Sequence, residues 1–488
     1  MDEATQLHTW GAHNDGMHLF PFPKTGSSGQ SSERGLLVNN HEYCDPGLVC
    51  NTTTYGTDVI TSAMVDAQLA AHGVSVVEIQ KKSGSWSVKR PSGYNRRITG
   101  KTPCTISGPA AGHDLMKTSA DANGTLVLGT LNNCAHGYTP WGTYLTCEEN
   151  WNGYFGSKTA LTQTSHEKRY GVSASGFGYR WHMADDRFDV NLNRNEANRF
   201  GWVVEIDPWN PTATPIKRTA LGRIKHEGAW TVVGSDNTVA IYQGDDERNE
   251  YLYKIVCAQK YNAKNRAANR NLLDSGTLYV AKFNADGTGQ WLPLVYGQNG
   301  LTAENGFSSQ AEVLIKTRQA ADRIGATMMD RPEWIAAHPT TREMYMTLTN
   351  HSRRGNTPVS SNNVDGTSGA ASANPSVDAA NPRPDNDYGH IIRWREDLGQ
   401  VQSTVFAWDI FVQCGDKATS KTLGGSYTAG EFGGQSVGYA GNINGDDYGA
   451  PDGLWFDKDG RLWIQTDQQG DASGDWVNIG GNVMMCAD

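Results

Sequence analysis

Three stretches of the chain share one form: an acidic residue, an apolar run, a tight turn, a second apolar run and a closing carboxylate or amide. They run from Glu227 to Asp245, from Glu333 to Asn350 and from Asp452 to Asp467, spacings of 18, 17 and 15 residues. Asp114 to Asn132 is a weaker fourth. A hairpin of this length sets its first and last residues side by side at the open end, opposite the turn. Each hairpin therefore carries a polar pair to one rim. Hairpins of one kind, recurring at irregular intervals, predict a propeller with long insertions, because radial packing gathers the same end of every blade around one channel. The expected fold is all-β: a six-bladed β-propeller over residues 1–488, one domain with long inserted loops and a few short helices.

Composition supports strands and turns. The 55 glycines in 488 residues exceed the ~7% of an ordinary globular chain. The 15 Trp, 19 Tyr and 12 Phe suit half-buried sheet faces packed by rings. Helical periodicity is clear only in 58–73, where Ile60, Met64, Ala67 and Ala71 recur before Gly73, and in Gln310 to Ile324. The Gly/Ser/Ala/Asn/Pro-rich segment 356–386 reads as a long flexible loop, since a strand pattern resumes at Tyr388. No run of 18 apolar residues occurs, so no membrane span is expected. With 42 Lys+Arg against 52 Asp+Glu, the net charge is −10. A chain so charged and without a basic block has no stripe for a nucleic-acid backbone.

The residues that can carry chemistry sit at strand ends. Asn39, Asn40, His41 and Glu42 follow the apolar run GLLV; Cys147, Glu148 and Glu149 close GTYLTCEE; His226 and Glu227 open HEGAW; Arg331 and Glu333 stand two apart in RPEW; Asp452 opens PDGLWFD. Each has a bland alternative, namely a disulfide for Cys147, a surface pair for His226 and Glu227, an ion pair for Arg331 and Glu333, and a turn for Asp452. Convergence changes the balance. Glu42, Cys147, Glu148, Glu227, Glu333 and Asp452 meeting on one rim could not all ionise without bound cations. Hard oxygen ligands suit calcium, and a thiolate among carboxylates suits iron. The eight cysteines lack zinc-site spacings, and Cys44 with Cys50 is the easiest local disulfide. There is no G-x-S-x-G, P-loop, H-E-x-x-H or C-x-x-C motif.

In this order, HLFPFP, RGLLVNNHEY, GTYLTCEENWNGYF, HEGAW, GDDERNEYLYKIV, RPEW, TLTN and PDGLWFD resemble the PhoX family of bacterial alkaline phosphatases, from about His18 to Gln468. The resemblance implies an enzyme that hydrolyses small phosphate monoesters with an Fe(III) and Ca2+ cluster at the propeller axis; a monomer is expected. It implies export in folded form to the periplasm or medium; the twin-arginine signal itself is not in this chain, which fits a mature form. Carried over, Cys147 would ligate iron, with Glu42, Glu148, Glu227, Glu333 and Asp452 on iron or calcium. Arg331 would clamp phosphate, and Arg331, Glu333 and Glu227 would be the catalytic residues. Two other classes stay open at this point: a calcium-dependent propeller lactonase or esterase, and a non-enzymatic propeller that binds protein. Bound iron separates them from the phosphatase.

Overall fold

A computed structural model describes residues 2–24, 26, 28–50, 59–415, 421–422, 438–439, 443–446, 448–467 and 483–487. The alternating apolar runs form strands in mostly antiparallel order. Asn14–Pro23 pairs with Gln30–His41, which pairs with Gly73–Lys82. Asn133–Tyr138 leads to Tyr144–Glu148, Val203–Ile206 and Ile216–Arg218, then by one parallel step to Pro103–Ser107. His226–Val233 opens a meander through Thr238–Asp245, Leu252–Lys260 and Gly276–Phe283. Pro332–Ala337 opens another through Met344–Leu348, His390–Glu396 and Val405–Gln413. Thr288–Pro293 joins these two meanders at their outer edges. Pro451–Phe456 pairs with Leu462–Thr466 and that with Met484–Ala487.

The leading strands of these five units pack side by side, from Asn14–Pro23 through Asn133–Tyr138, His226–Val233 and Pro332–Ala337 to Pro451–Phe456. Trp455 approaches His18, ring centroids 6.1 Å apart, and closes the circle. The arrangement is a β-propeller, and the described residues contain five such units. Apolar cores fill the wedges between units, one of them built from Leu145, Val203, Ile241, Ile255 and Val280. Each such side chain, fully buried, contributes about 1.5–3 kcal/mol. Helices are few and short. Ser62–Ala71 is capped by the Thr61 hydroxyl, which accepts from the Met64 N–H at 3.3 Å. The second expected helix is broken at Lys316 into Gln310–Ile315 and Thr317–Ile324.

All five axial strands slip register at the same level: between Asn14 and Met17, Asn133 and His136, Glu227 and Trp230, Pro332 and Ile335, and Pro451 and Leu454. A bulge inserts an unpaired residue, bends the strand and re-aims its side chains. Gly228 sits in one of them at φ +88°, a conformation that a side chain would strain. Just past the bulges, rings meet across the axis. His18 stacks on Tyr138 at 4.0 Å, His136 meets Trp334 edge-on at 5.3 Å, and Trp230 meets Trp455 edge-on at 5.4 Å.

The fourth hairpin expected from sequence does not form. Asp114–Met116 is a single 3-10 turn, and Leu126–Leu128 pairs with Pro103–Ser107. The Asp121 carboxylate accepts from the N–H groups of Thr125 and Leu126, both at 2.8 Å, which ties the segment into a local loop. The segment 356–386 is tied to the fold at several points. Asn362 Nδ2 donates to the Asn249 carbonyl at 2.9 Å, Gln319 Nε2 to that of Val364 at 3.0 Å, and Arg354 Nη1 to that of Ser376 at 2.9 Å.

Candidate functional site

On the bulged side of the ring layer lies a cavity of about 740 Å³. Each axial strand delivers one acid or thiol to it at or beside its bulge: Asp15, Cys134, Glu227, Glu333 and Asp452. Strand ends add Glu42 after His41, Glu149 after Glu148 and Asp246 after Asp245. Four sets of three donor atoms lie within 4.8 Å of one another: Asp15, Cys134 and Glu227; Glu42, Cys134 and Glu149; Glu149, Glu227 and Asp246; Glu227, Glu333 and Asp452. Cys134 belongs to two sets and Glu227 to three. The Cys134 thiol donates to Asp15 Oδ2 at 2.7 Å and lies 3.3 Å from Glu227 Oε1. Glu227 Oε2 is buried without a partner.

These groups cannot all be charged at once in the bare protein. Burial, then the Asp467 charge, pushes Asp15 up to about 6, against the pull of the Cys134 hydrogen bond. Burial first and neighbouring carboxylates second hold Glu42, Glu149, Glu227, Glu333 and Asp452 well above the usual carboxylate range. The Cys134 thiol is raised by burial and then by Asp15 and Glu227. Among the described lining residues, Arg331 is the only arginine or lysine. Its Nε and Nη2 donate to the two Asp246 oxygens at 2.9 and 2.7 Å, and Nη2 donates to Glu333 Oε1 at 3.1 Å. Burial opposes its charge, yet Asp246 and Glu333 outweigh it and push the guanidinium further up. Arg331 keeps 27% of its side chain exposed, toward the cavity it lines, and its backbone takes φ +58°, a sparsely populated conformation of the kind that clusters at functional sites.

Four of the six expected ligands, Glu42, Glu227, Glu333 and Asp452, come together here, as does Arg331. Cys147 and Glu148 do not. Cys147 is fully buried in an apolar core with Leu145, Val203 and Ala229, and burial pushes its thiol well up. It is a free thiol, as are Cys44, Cys50 and the other five cysteines, so the disulfide alternatives are not formed either. Glu148 is taken up by structure: it accepts from Lys217 Nζ at 2.7 Å and from the N–H groups of Gly201 and Trp202 at 3.0 and 3.1 Å. The strand ends at Glu148, and the following residue, Glu149, turns into the cavity. Sequence reasoning missed Asp15, Cys134 and Asp246. A signal for the first was present: Asp15-Gly-Met-His18, Glu227-Gly-Ala-Trp230 and Asp452-Gly-Leu-Trp455 repeat one pattern of acid, glycine, apolar residue and ring.

The sequence profile of one family, alkaline phosphatase PhoX, matches residues 1–488. No curated protein sequence matches. Among solved structures the chain is similar to Pseudomonas fluorescens PhoX in complex with vanadate, a transition state analogue. The two share 46% sequence identity and a TM-score of 0.85, with 100% of this chain and 80% of that one covered.

Proposed function

The chain belongs to the PhoX family of alkaline phosphatases and hydrolyses phosphomonoesters, and from that premise we propose that Cys134 and the surrounding carboxylates hold Fe(III) and Ca2+ at the propeller axis. One observation carries this reading: a thiol and at least six buried or half-buried carboxylates converge on a cavity that holds one arginine, with the inner oxygen of Glu227 unpartnered. Such a donor set fits cations and little else. The two sets that share Cys134 offer the soft sulfur that favours iron, while Glu149, Glu227 and Asp246, and Glu227, Glu333 and Asp452, offer only oxygen and suit calcium. The ligand roles expected for Cys147 and Glu148 pass to Cys134 and Glu149. Bound there, the cations would supply the positive charge that a phosphoryl group in transfer demands.

The chain's own residues do the positioning. Arg331 presents a planar fork at the cavity and clamps phosphoryl oxygens, exchanging part of its contact with Asp246 for substrate. Glu333 and Asp246 fix the direction of that fork. Glu227, shared by three donor sets, would hold the cations together, and the raised carboxyls would have to be deprotonated to ligate them. A lactonase, an esterase or a binding propeller gains nothing from a thiol at Cys134.

Elemental analysis with rate measurement tests the assignment. Cys134→Ser is expected to lose iron and to slow phosphomonoester turnover by orders of magnitude, while Cys147→Ser keeps both. A Cys134→Ser protein with the parent's iron content and rate would overturn it. A periplasmic or secreted location, reached in folded form, rests on the family likeness, and activity confined to the cytosolic fraction would count against it.

A further inference from the structure

We propose that the stacked rings of His13 and Tyr43 at the cavity mouth form a platform for the leaving group, so that the enzyme favours phosphomonoesters of flat aromatic alcohols. The inference rests on this cavity being the phosphatase site. The two rings lie 3.6 Å apart at their centroids and 14° from parallel, and both line the cavity. The phosphoryl end of a substrate belongs at Arg331 and the carboxylates, which leaves the mouth for the alcohol. Val483 and Met484 add apolar surface to the lining of the same cavity.

Packing does not explain the pair. His13 is exposed and Tyr43 half-buried, so the stack completes no core. His13 is nonetheless held at φ +46°, a left-handed conformation that a histidine seldom adopts. Its carbonyl accepts from the Glu42 N–H at 3.0 Å, and Tyr43 follows Glu42 directly, so the platform and an acid of the cavity are set in place together. A rigid ring face beside a reaction centre stacks on a third ring and offers an aliphatic alcohol only its edge contacts.

The test compares kcat/KM of the metal-loaded enzyme for phenyl phosphate and for glycerol 2-phosphate. The proposal expects His13→Ala and Tyr43→Leu each to lower the aryl-to-alkyl ratio about five- to tenfold, mainly through KM, the upper range for one ring stack. Tyr43→Phe, which keeps the ring, should keep the ratio. Because the ratio cancels damage to the shared chemistry, an unchanged ratio, with both substrates slowed alike, would show that the stack merely holds Glu42 and would overturn the proposal. Should the variants be too slow to measure, inhibition of the parent enzyme decides: phenylphosphonate should bind about tenfold more tightly than methylphosphonate, and equal binding overturns the platform. Failure of inorganic phosphate to inhibit the parent would instead overturn the site reading itself, and the platform with it.

Discussion

Asp245 and Asp246 are neighbours in sequence, are both buried, and belong to different worlds. Asp245 faces a cluster in which the protein supplies its own cations. Arg318 Nε donates to Asp245 Oδ2 and Arg318 Nη1 to Glu247 Oε2, both at 2.8 Å; Arg169 reaches Glu250 Oε2 at 2.9 Å and Asp322 Oδ2 at 2.7 Å. Burial works against the charge on Asp245, Glu247 and Glu250 alike: at Glu247 Lys225 and Arg318 outweigh it and bring the carboxyl down to about 2, while at Asp245 and Glu250 burial still exceeds the pull of the arginines and both carboxyls stay raised. Asp246 faces the axial cavity, where Arg331 is the only arginine or lysine among the described lining residues and Glu227 and Glu333 are held well above the usual carboxylate range. The difference is where the positive charge comes from. Guanidinium groups fixed by the chain make a permanent strut, whereas carboxylates left without them make a receptor whose cations are exchangeable.

Stripping the metals should separate the two clusters most sharply. A strong chelator is expected to abolish phosphatase activity and to lower Tm, because cations that bind only the folded state stabilise it. Undiminished activity after verified removal of iron and calcium would erase the distinction.

Single substitutions should then fail in opposite ways. Glu227→Gln or Glu333→Gln is expected to cut kcat by about 10²–10³, in the range of losing one charge-stabilising group, while Tm holds or rises in the metal-free protein. Arg318→Met should instead strand Asp245 and Glu247 and cost about 3–5 kcal/mol of stability. Thermal melts and kinetics of both variants check this, and a Glu227→Gln protein that melts early but works at the parent's rate would invert the comparison.

The pH dependence sharpens it further. In the metal-free protein the raised axial carboxyls favour the fold below the unfolded carboxylate range near 4, and that contribution is lost as pH rises through about 6, the value for Asp15, and beyond. Tm of metal-free protein should therefore fall between pH 4 and 8. Metal-loaded protein should behave oppositely and lose metal on acidification, since its ligands must be deprotonated. Parallel profiles for the two forms would refute the assignment of cations to this cavity.

The smallest expected effect is on Arg331. Arg331→Lys should weaken phosphate inhibition by about tenfold, the loss of one two-pronged contact, with the fold untouched.

Much of this was legible in the residues. Acids at hairpin mouths, counted along the chain, point to a common rim, and Glu42, Glu227, Glu333 and Asp452 do converge on it. What escaped is what a bulge or strand end decides. In CEEN three candidates stand in a row, and only the end of the strand at Glu148 determines that Glu149, not Cys147, turns inward. Cys134 follows two asparagines with no acid beside it, and its meaning comes from Asp15 and Glu227 on other strands. Asp114 has the right spacing, but Asp121 captures the backbone nearby into a loop. Long-range partners and local backbone capture are invisible to spacing alone.

The rings that meet across the axis beneath the bulges give the cavity a floor. With the substrate placed as proposed, the alcohol at the mouth would depart before the phosphate beneath it, so ordered release with phosphate as the last product is expected. In a phosphate-rich medium the enzyme would idle in its product-bound form, throttled by the very nutrient it liberates.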